Sequence, residues 1–303
     1  MQNILLHNCY FSGGNAGTGV VARNCGGLQW FGGETLQKSI GFSIAPNASG
    51  KRVNGVRVTG VYFDTCFNQC LNVTVVAGAR VSDVIFVNTH FNNSQNDAGV
   101  VISGLSSDAT LIDTIEFVGC NAIINKKFGF YLSYCQKIDI TACRIISNGQ
   151  DGTSAGVTLS TGSSGVKILG GNSGSGAGFA ASQIYGVFIA SGVTGTIIDG
   201  VDLNGNVTNP ISDSGTGTVI KNCPGFTTFA KGASSIASGA GSVTVNHGLA
   251  AAPAKEDVFV MPVADPSIRY WVSATTATTF TVSLSGTAPA QWFFGWQVGV
   301  KGN

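Results

Sequence analysis

Glu116 and Asp139 fill the same slot in consecutive copies of an eight-residue pattern, apolar-x-apolar-x-x-small-x-apolar, and Lys167 fills it in the copy after. If the copies stack as neighbouring strands, equivalent side chains lie about 4.8 Å apart. Two carboxylates at about that separation could divide the nucleophile and acid roles of a retaining glycosidase. Their mutual repulsion should raise the pKa of one of them, which suits an acid. The same three residues also read as a charge ladder in which Lys167 neutralises Asp139, and this structural reading is favoured because no third acid joins them in the column. A lyase would need a calcium cluster of acids beside a basic residue; Arg57 and Lys167 supply only the base. Glu34 and His90 stand two copies apart with Tyr62 between them, which makes a still poorer pair.

Loop acids and outward aromatics form a second group. Asp97, in Asn-Asn-Ser-Gln-Asn-Asp-Ala-Gly, and Asp151, in Asn-Gly-Gln-Asp-Gly, precede the same strand in different repeats. They could flank a groove, or simply shape Asn/Gly-rich turns. Tyr131, Tyr134 and Phe188, with Tyr185 in the longest insertion, are candidate platforms for stacking sugars, and equally candidates for a seam between subunits. Near the C-terminus, alternation puts Trp292, Phe294 and Trp296 on one strand face, as core or subunit interface. Trp271 and Phe293 are then the candidates for an exposed sugar platform. Cys66 and Cys70, in Cys-Phe-Asn-Gln-Cys, have neither zinc-knuckle nor redox spacing, so no metal and no cofactor is assigned.

The elements that must position these residues follow from the repeat. The pattern returns about nine times at intervals of roughly 22 to 31 residues, most clearly at Val56–Phe63, Val84–Phe91, Ile138–Ile145 and Thr196–Leu203. Between its copies lies a second pattern, Gly-apolar-x-apolar, as in Gly99-Val100-Val101-Ile102 and Gly129-Phe130-Tyr131-Leu132. Both have the period of a strand. Their strict alternation makes each repeat one coil of a parallel β-helix, whose apolar face is buried only by stacking on the next coil. Cys9, Cys120, Cys143 and Cys223 fall on the inward small position of the first pattern. They are expected as buried free thiols, behaving as small hydrophobes.

The solenoid is expected over residues 1–225. A Gly/Ser/Ala-rich linker or neck follows over 226–241. Residues 242–303 read as a small antiparallel β-sandwich, with strands at 242–247, 257–263, 270–274, 279–284 and 291–298 separated by turn signals such as Asp265-Pro266. The fold class is therefore all-β. The first strand starts almost at Met1, so either another component covers the open first coil or the chain is the C-terminal part of a longer protein.

The net charge of +1, without a Lys/Arg run, gives no electrostatic footprint for nucleic acid. No apolar run approaches the length of about 18 residues of a membrane-spanning helix. Residues 1–6 lack the basic and apolar regions of a signal peptide, so synthesis in the cytoplasm is expected.

The irregular β-helix resembles the right-handed parallel β-helix of bacteriophage tailspikes and pectate-lyase-like proteins. The C-terminal part carries Val243-Thr244-Val245-Asn246-His247-Gly248-Leu249, then Tyr270-Trp271-Val272, Thr278-Thr279-Phe280-Thr281-Val282 and Phe294-Gly295-Trp296. It resembles the β-sandwich modules that end phage tail fibres, and the H-type lectin domain. The resemblance implies a virion protein forming a homotrimer, which binds a host cell-surface polysaccharide. It also implies an upstream tail or baseplate component, or a missing N-terminal region. The outward positions Ile85, Val87, Val118, Leu169, Ile197 and Val219 agree with a side-by-side partner, since they are too apolar for a wholly solvated face. A further sheet or loop of the same chain would cover them as well. The leading alternative is a polysaccharide depolymerase of the same architecture, a glycoside hydrolase or lyase. A bacterial adhesin or autotransporter passenger is the third class, disfavoured by the missing signal peptide.

Overall fold

The computed structural model describes residues 4–265 and 267–300, so Pro266 of the expected turn lies outside it. The chain is all-β and divides into two compact units, 1–218 and 219–303. The first is a parallel β-helix of about 8 turns.

Each coil gives one strand to an eight-stranded parallel sheet, which includes Val100–Ser103, Phe130–Ser133, Val157–Leu159 and Tyr185–Ile189. The eight-residue pattern forms the other parallel sheet. In Leu28–Leu36 it is one continuous strand, whereas in later coils it breaks in two, as in Asp113–Val118 and Asn121–Ile123. The residue at the bend has positive φ in successive copies: Asn8, Gly32, Gly60, Asn88, Gly119, Ala142, Gly170 and Gly200. That left-handed conformation favours Gly and Asn, which explains what fills the slot in all but Ala142. A second left-handed column, Gly55, Asp83, Thr114, Lys137, Gly165 and Gly195, enters each copy.

Register is as the repeat predicts. Val56 pairs with Val84, and Ile115 pairs with both Val84 and Ile138. Val56, Val58, Val61 and Phe63 point inward and are fully buried. Trp30, Phe42, Phe63, Phe86, Phe91, Phe117 and Phe130 make a continuous internal stack, with ring centroids 5.0–6.5 Å apart. Fully burying each such side chain stabilises the coil by about 1.5–3 kcal/mol. All eight cysteines are free thiols, with Cys120, Cys143 and Cys223 buried and Cys9 only half-buried.

A buried amide ladder occupies one corner. Asn125 Nδ2 donates to Asn148 Oδ1 at 2.8 Å and to the Phe91 carbonyl at 2.9 Å; Asn148 Nδ2 donates to the Ala122 carbonyl at 2.8 Å. Gln183 Oε1 accepts from the Asn148 backbone N–H at 3.3 Å, and Gln183 Nε2 donates to Asn206 Oδ1 at 3.0 Å. Each amide thus satisfies backbone groups that the corner removes from the strand ladders.

The second unit holds two three-stranded antiparallel sheets. One joins Phe229–Ile236, Trp292–Gly299 and Val258–Pro262; the other joins Ser242–Asn246, Thr279–Leu284 and Tyr270–Thr275. Ile236, Val245, Phe280, Val282, Trp292, Phe294 and Trp296 meet in its core. Trp292, Phe294 and Trp296 are core here, as one of the two sequence readings had it. The segment 226–241, expected as a linker, instead contains the strand Phe229–Ile236. Trp296 explains its glycine: a Cβ on Gly232 would meet that indole at 2.8 Å. His247 is buried and braces its turn, accepting from the Leu249 N–H at 3.0 Å through Nδ1 and facing the Thr276 carbonyl at 3.3 Å through Nε2.

Candidate functional site

Strand alternation on the eight-stranded sheet turns Tyr131, Thr158 and Phe188 outward from three consecutive coils, in register with one another. Tyr131 and Phe188 therefore stand two strand spacings apart, about 9.6 Å, with Thr158 between them. Each has an aromatic companion: Phe128 lies 5.3 Å from Tyr131 at an interplanar angle of 38°, and Tyr185 lies 5.9 Å from Phe188 at 30°. A cavity of about 180 Å³ opens here, lined by Phe128, Ala155, Thr158, Ile184, Tyr185 and Phe188 among others, and no lining residue is charged.

Thr158 is buried, and its Oγ1 has no hydrogen-bond partner. Among the described residues the other such side-chain atoms are Trp30 Nε1, Thr35 Oγ1, Thr196 Oγ1 and Trp296 Nε1. Trp30, Thr35 and Thr196 occupy inward slots of the repeat, and Trp296 belongs to the core of the second unit. Thr158 alone is on an outward position.

Asp151 shapes one edge of this cleft rather than facing it. Its carboxylate accepts the N–H groups of Thr153 and Ser154 at 3.0 and 3.1 Å, and their hydroxyls at 2.9 and 2.7 Å. Burial acts to raise its pKa, but these four hydrogen bonds outweigh it and hold the carboxyl below the ordinary aspartate value. Thr153 is thereby fixed at the cavity wall.

On the other sheet Glu116, Asp139 and Lys167 are in register on adjacent strands. Lys167 Nζ lies 3.5 Å from Asp139 Oδ2, with 46% and 32% of the two side chains exposed. Glu116 forms no ion pair among the described residues. A cavity of about 420 Å³ opens here, lined by Glu116, Asp139, Lys167 and Ile197 together with the left-handed residues Thr114, Lys137, Gly165 and Gly195. No group of three or more His, Cys, Asp or Glu that could hold a metal occurs among the described residues.

The remaining candidates are dispersed. Asp97 accepts from Gln69 and pairs with Lys127 at 3.6 Å, which ties three coils together. Tyr134 has φ of +47° and sits in the turn after Phe130–Ser133, against Gly162 of the next coil and outside the cleft lining. Trp271, 47% exposed, is on one sheet of the second unit beside the Ser273 and Ser283 hydroxyls, which are 2.7 Å apart. Phe293, 54% exposed, is on the other sheet, with Phe259 and Met261. Phe128, Ala155, Thr158 and Ile184 escaped the sequence reading. The one available signal was a threonine at the slot filled by Tyr131 and Phe188 in the coils on either side.

No protein-family model matches the chain, and no curated protein sequence matches it. Similar solved structures include the gp54 tailspike of Acinetobacter baumannii bacteriophage AP22, in complex with A. baumannii capsular saccharide. It has 9% identity and a TM-score of 0.42, over 94% of this chain and 65% of that one. A double-mutant tailspike of E. coli bacteriophage HK620, in complex with pentasaccharide, has 11% identity and a TM-score of 0.45, over 98% of this chain and 60% of that one. The A-module of the mannuronan C-5 epimerase of Azotobacter vinelandii has 17% identity and a TM-score of 0.40, over 67% of this chain and 57% of that one. The chain thus spans less than two thirds of the length of each of these structures. The strand ladders of the chain itself establish the parallel β-helix, and a fold of this kind hosts more than one function.

Proposed function

We propose that this chain is a tailspike-type attachment protein of a phage virion, whose solenoid binds a host cell-surface glycan. The observation that carries this reading is the outward cleft at Thr158, whose hydroxyl is unpartnered and which Tyr131 and Phe188, each with an aromatic companion, flank in register on the neighbouring strands. Aromatic faces accept the apolar C–H surfaces of sugar rings, and a few convergent polar groups fix orientation. A homotrimer is part of the proposal. Its support is the 36% exposure of Val118 on the shaft and the uncovered Phe259, Met261 and Phe293 on one sheet of the second unit. No helix among the described residues is long and apolar enough to cross a membrane.

The depolymerase reading is not favoured. Glu116 and Asp139 are adjacent, but Asp139 already faces Lys167, as a structural ladder requires. The test is binding of the purified protein to a panel of bacterial capsular polysaccharides and lipopolysaccharides, with Tyr131→Ala and Phe188→Ala beside the wild type. Binding to at least one glycan, lost in both variants, supports the proposal. Binding that ignores both substitutions moves the site elsewhere. Clearing zones on capsulated bacteria that vanish with Asp139→Asn would promote the enzyme.

A further inference from the structure

We propose that the pocket at Thr158 receives the acetamido group of a 2-acetamido sugar, which rests on the attachment reading above and gives it a substrate class. At about 180 Å³ the cavity is smaller than the roughly 300–1,000 Å³ of sites that enclose a whole ligand, so it admits a substituent while the sugar ring stays outside against an aromatic face. Carboxylate, hydroxymethyl, 6-deoxy methyl and acetamido groups are common on surface glycans, and the lining separates these four. A carboxylate would be buried against Phe128, Ala155, Ile184, Tyr185 and Phe188 with no cation to pair with it, which is strongly unfavourable. A hydroxymethyl group could bond Thr158 Oγ1, but would spend little of the apolar wall. The methyl of a 6-deoxy sugar would fill that wall, yet leave Thr158 Oγ1 as unpartnered as it is now.

An acetamido group matches both features. Its methyl fits among Ala155, Ile184 and the rings, and its amide offers a donor and an acceptor to Thr158 Oγ1, which is closed to water in the unliganded chain and can act in either sense once a neighbouring ring turns aside. The ring pairs Phe128–Tyr131 and Tyr185–Phe188 belong to the coils on either side of Thr158, and a hydrogen bond made among such rings gains from the low local dielectric.

The experiment is saturation-transfer NMR on the full chain, with the methyl glycosides of N-acetylglucosamine, N-acetylgalactosamine and N-acetylmannosamine as probes. The parent hexosides and 2-amino sugars serve as comparators, all at about 50 mM to reach weak sites. At least one acetamido sugar should bind, with saturation strongest on its acetyl methyl, and its parent should bind about tenfold more weakly. Thr158→Val, which removes the hydroxyl at constant shape, should weaken the acetamido sugar about tenfold, and Thr158→Ser should retain it. Circular dichroism confirms folding of both variants. Parents that bind as well, an unsaturated acetyl methyl, no binding by any probe, or an unchanged Thr158→Val each overturn the proposal. A polysaccharide from the panel that depends on Tyr131 and Phe188 but binds equally after chemical de-N-acetylation removes this inference alone. One that ignores Tyr131 and Phe188 removes the attachment reading at this cleft as well.

Discussion

Two of the places where the solenoid buries polar side chains resolve the cost in opposite ways. At the interior corner, Asn125, Asn148 and Gln183 are linked to one another and to backbone groups, so the network closes within the chain. At the outward cleft, Thr158 Oγ1 is equally shut off from water and bonds to nothing. A closed network of this kind specifies one structure, whereas a buried hydroxyl without a partner lowers stability and is offset only when something outside the chain supplies that partner. The Glu116, Asp139 and Lys167 column lies between these cases: part-exposed, with one pair made and one carboxylate facing solvent.

The largest effect should come from breaking the closed network. Asn148→Leu removes the acceptor of the Asn125 backbone N–H and of one Asn125 Nδ2 bond, and the donor to the Ala122 carbonyl, and should cost about 3 kcal/mol or more in guanidinium unfolding. A loss under about 1 kcal/mol would erase the distinction between corner and cleft. Next comes ligand binding: Tyr131→Ala or Phe188→Ala should weaken glycan affinity about 10- to 100-fold by titration calorimetry. Thr158→Val should do what no change at the corner can, raising unfolding stability by about 1 kcal/mol while binding falls. A destabilised Thr158→Val would mean that its hydroxyl is already satisfied.

Asp151 adds a pH dependence. Its carboxyl is lowered in the folded protein, so its contribution is complete above the ordinary aspartate pKa of about 3.9 and disappears as pH falls through the folded value. Glycan affinity should therefore be flat down to about pH 5, and any loss through this carboxyl confined to more acid conditions, where Asp151→Asn should abolish the dependence. The smallest effects belong to the surface column. Glu116→Gln and Asp139→Asn should each change stability by about 0–1 kcal/mol and leave binding untouched, as read by thermal melts and the same calorimetry.

Much of this could be seen in the residues alone, for a definite reason. The inward slots Val56, Val58, Val61 and Phe63 and the columns Glu116–Asp139–Lys167 and Tyr131–Thr158–Phe188 follow from a repeat that fixes register, because a slip would turn every apolar side chain outward. What escaped depends on neighbours that the repeat does not encode. Thr158 is ordinary in its own strand and becomes buried only through aromatics on adjoining coils, one of them, Tyr185, at the end of the longest insertion. The strand Phe229–Ile236 has a linker's composition, and at Gly232 its partner Trp296 takes the room that a side chain would need. Thr114, Lys137 and Ala142 hide the bend columns that Gly and Asn announce in other coils.

The internal aromatic stack runs from Trp30 to Phe130 and then stops, and the following coils fill the interior with Val157, Leu159, Ile168, Val187 and Ile189. Since each coil of a solenoid is held chiefly by its two neighbours, stability is distributed along the axis rather than shared equally. The shaft is in this sense a graded rod. Pulled lengthwise or warmed, its aliphatic coils should open before the aromatic ones, and amide exchange should be slowest around Phe86 and Phe117. The cleft, which straddles the coils of Phe130, Val157 and Val187, sits where the stiff segment gives way to the softer one. A bound glycan chain would brace that junction like a splint.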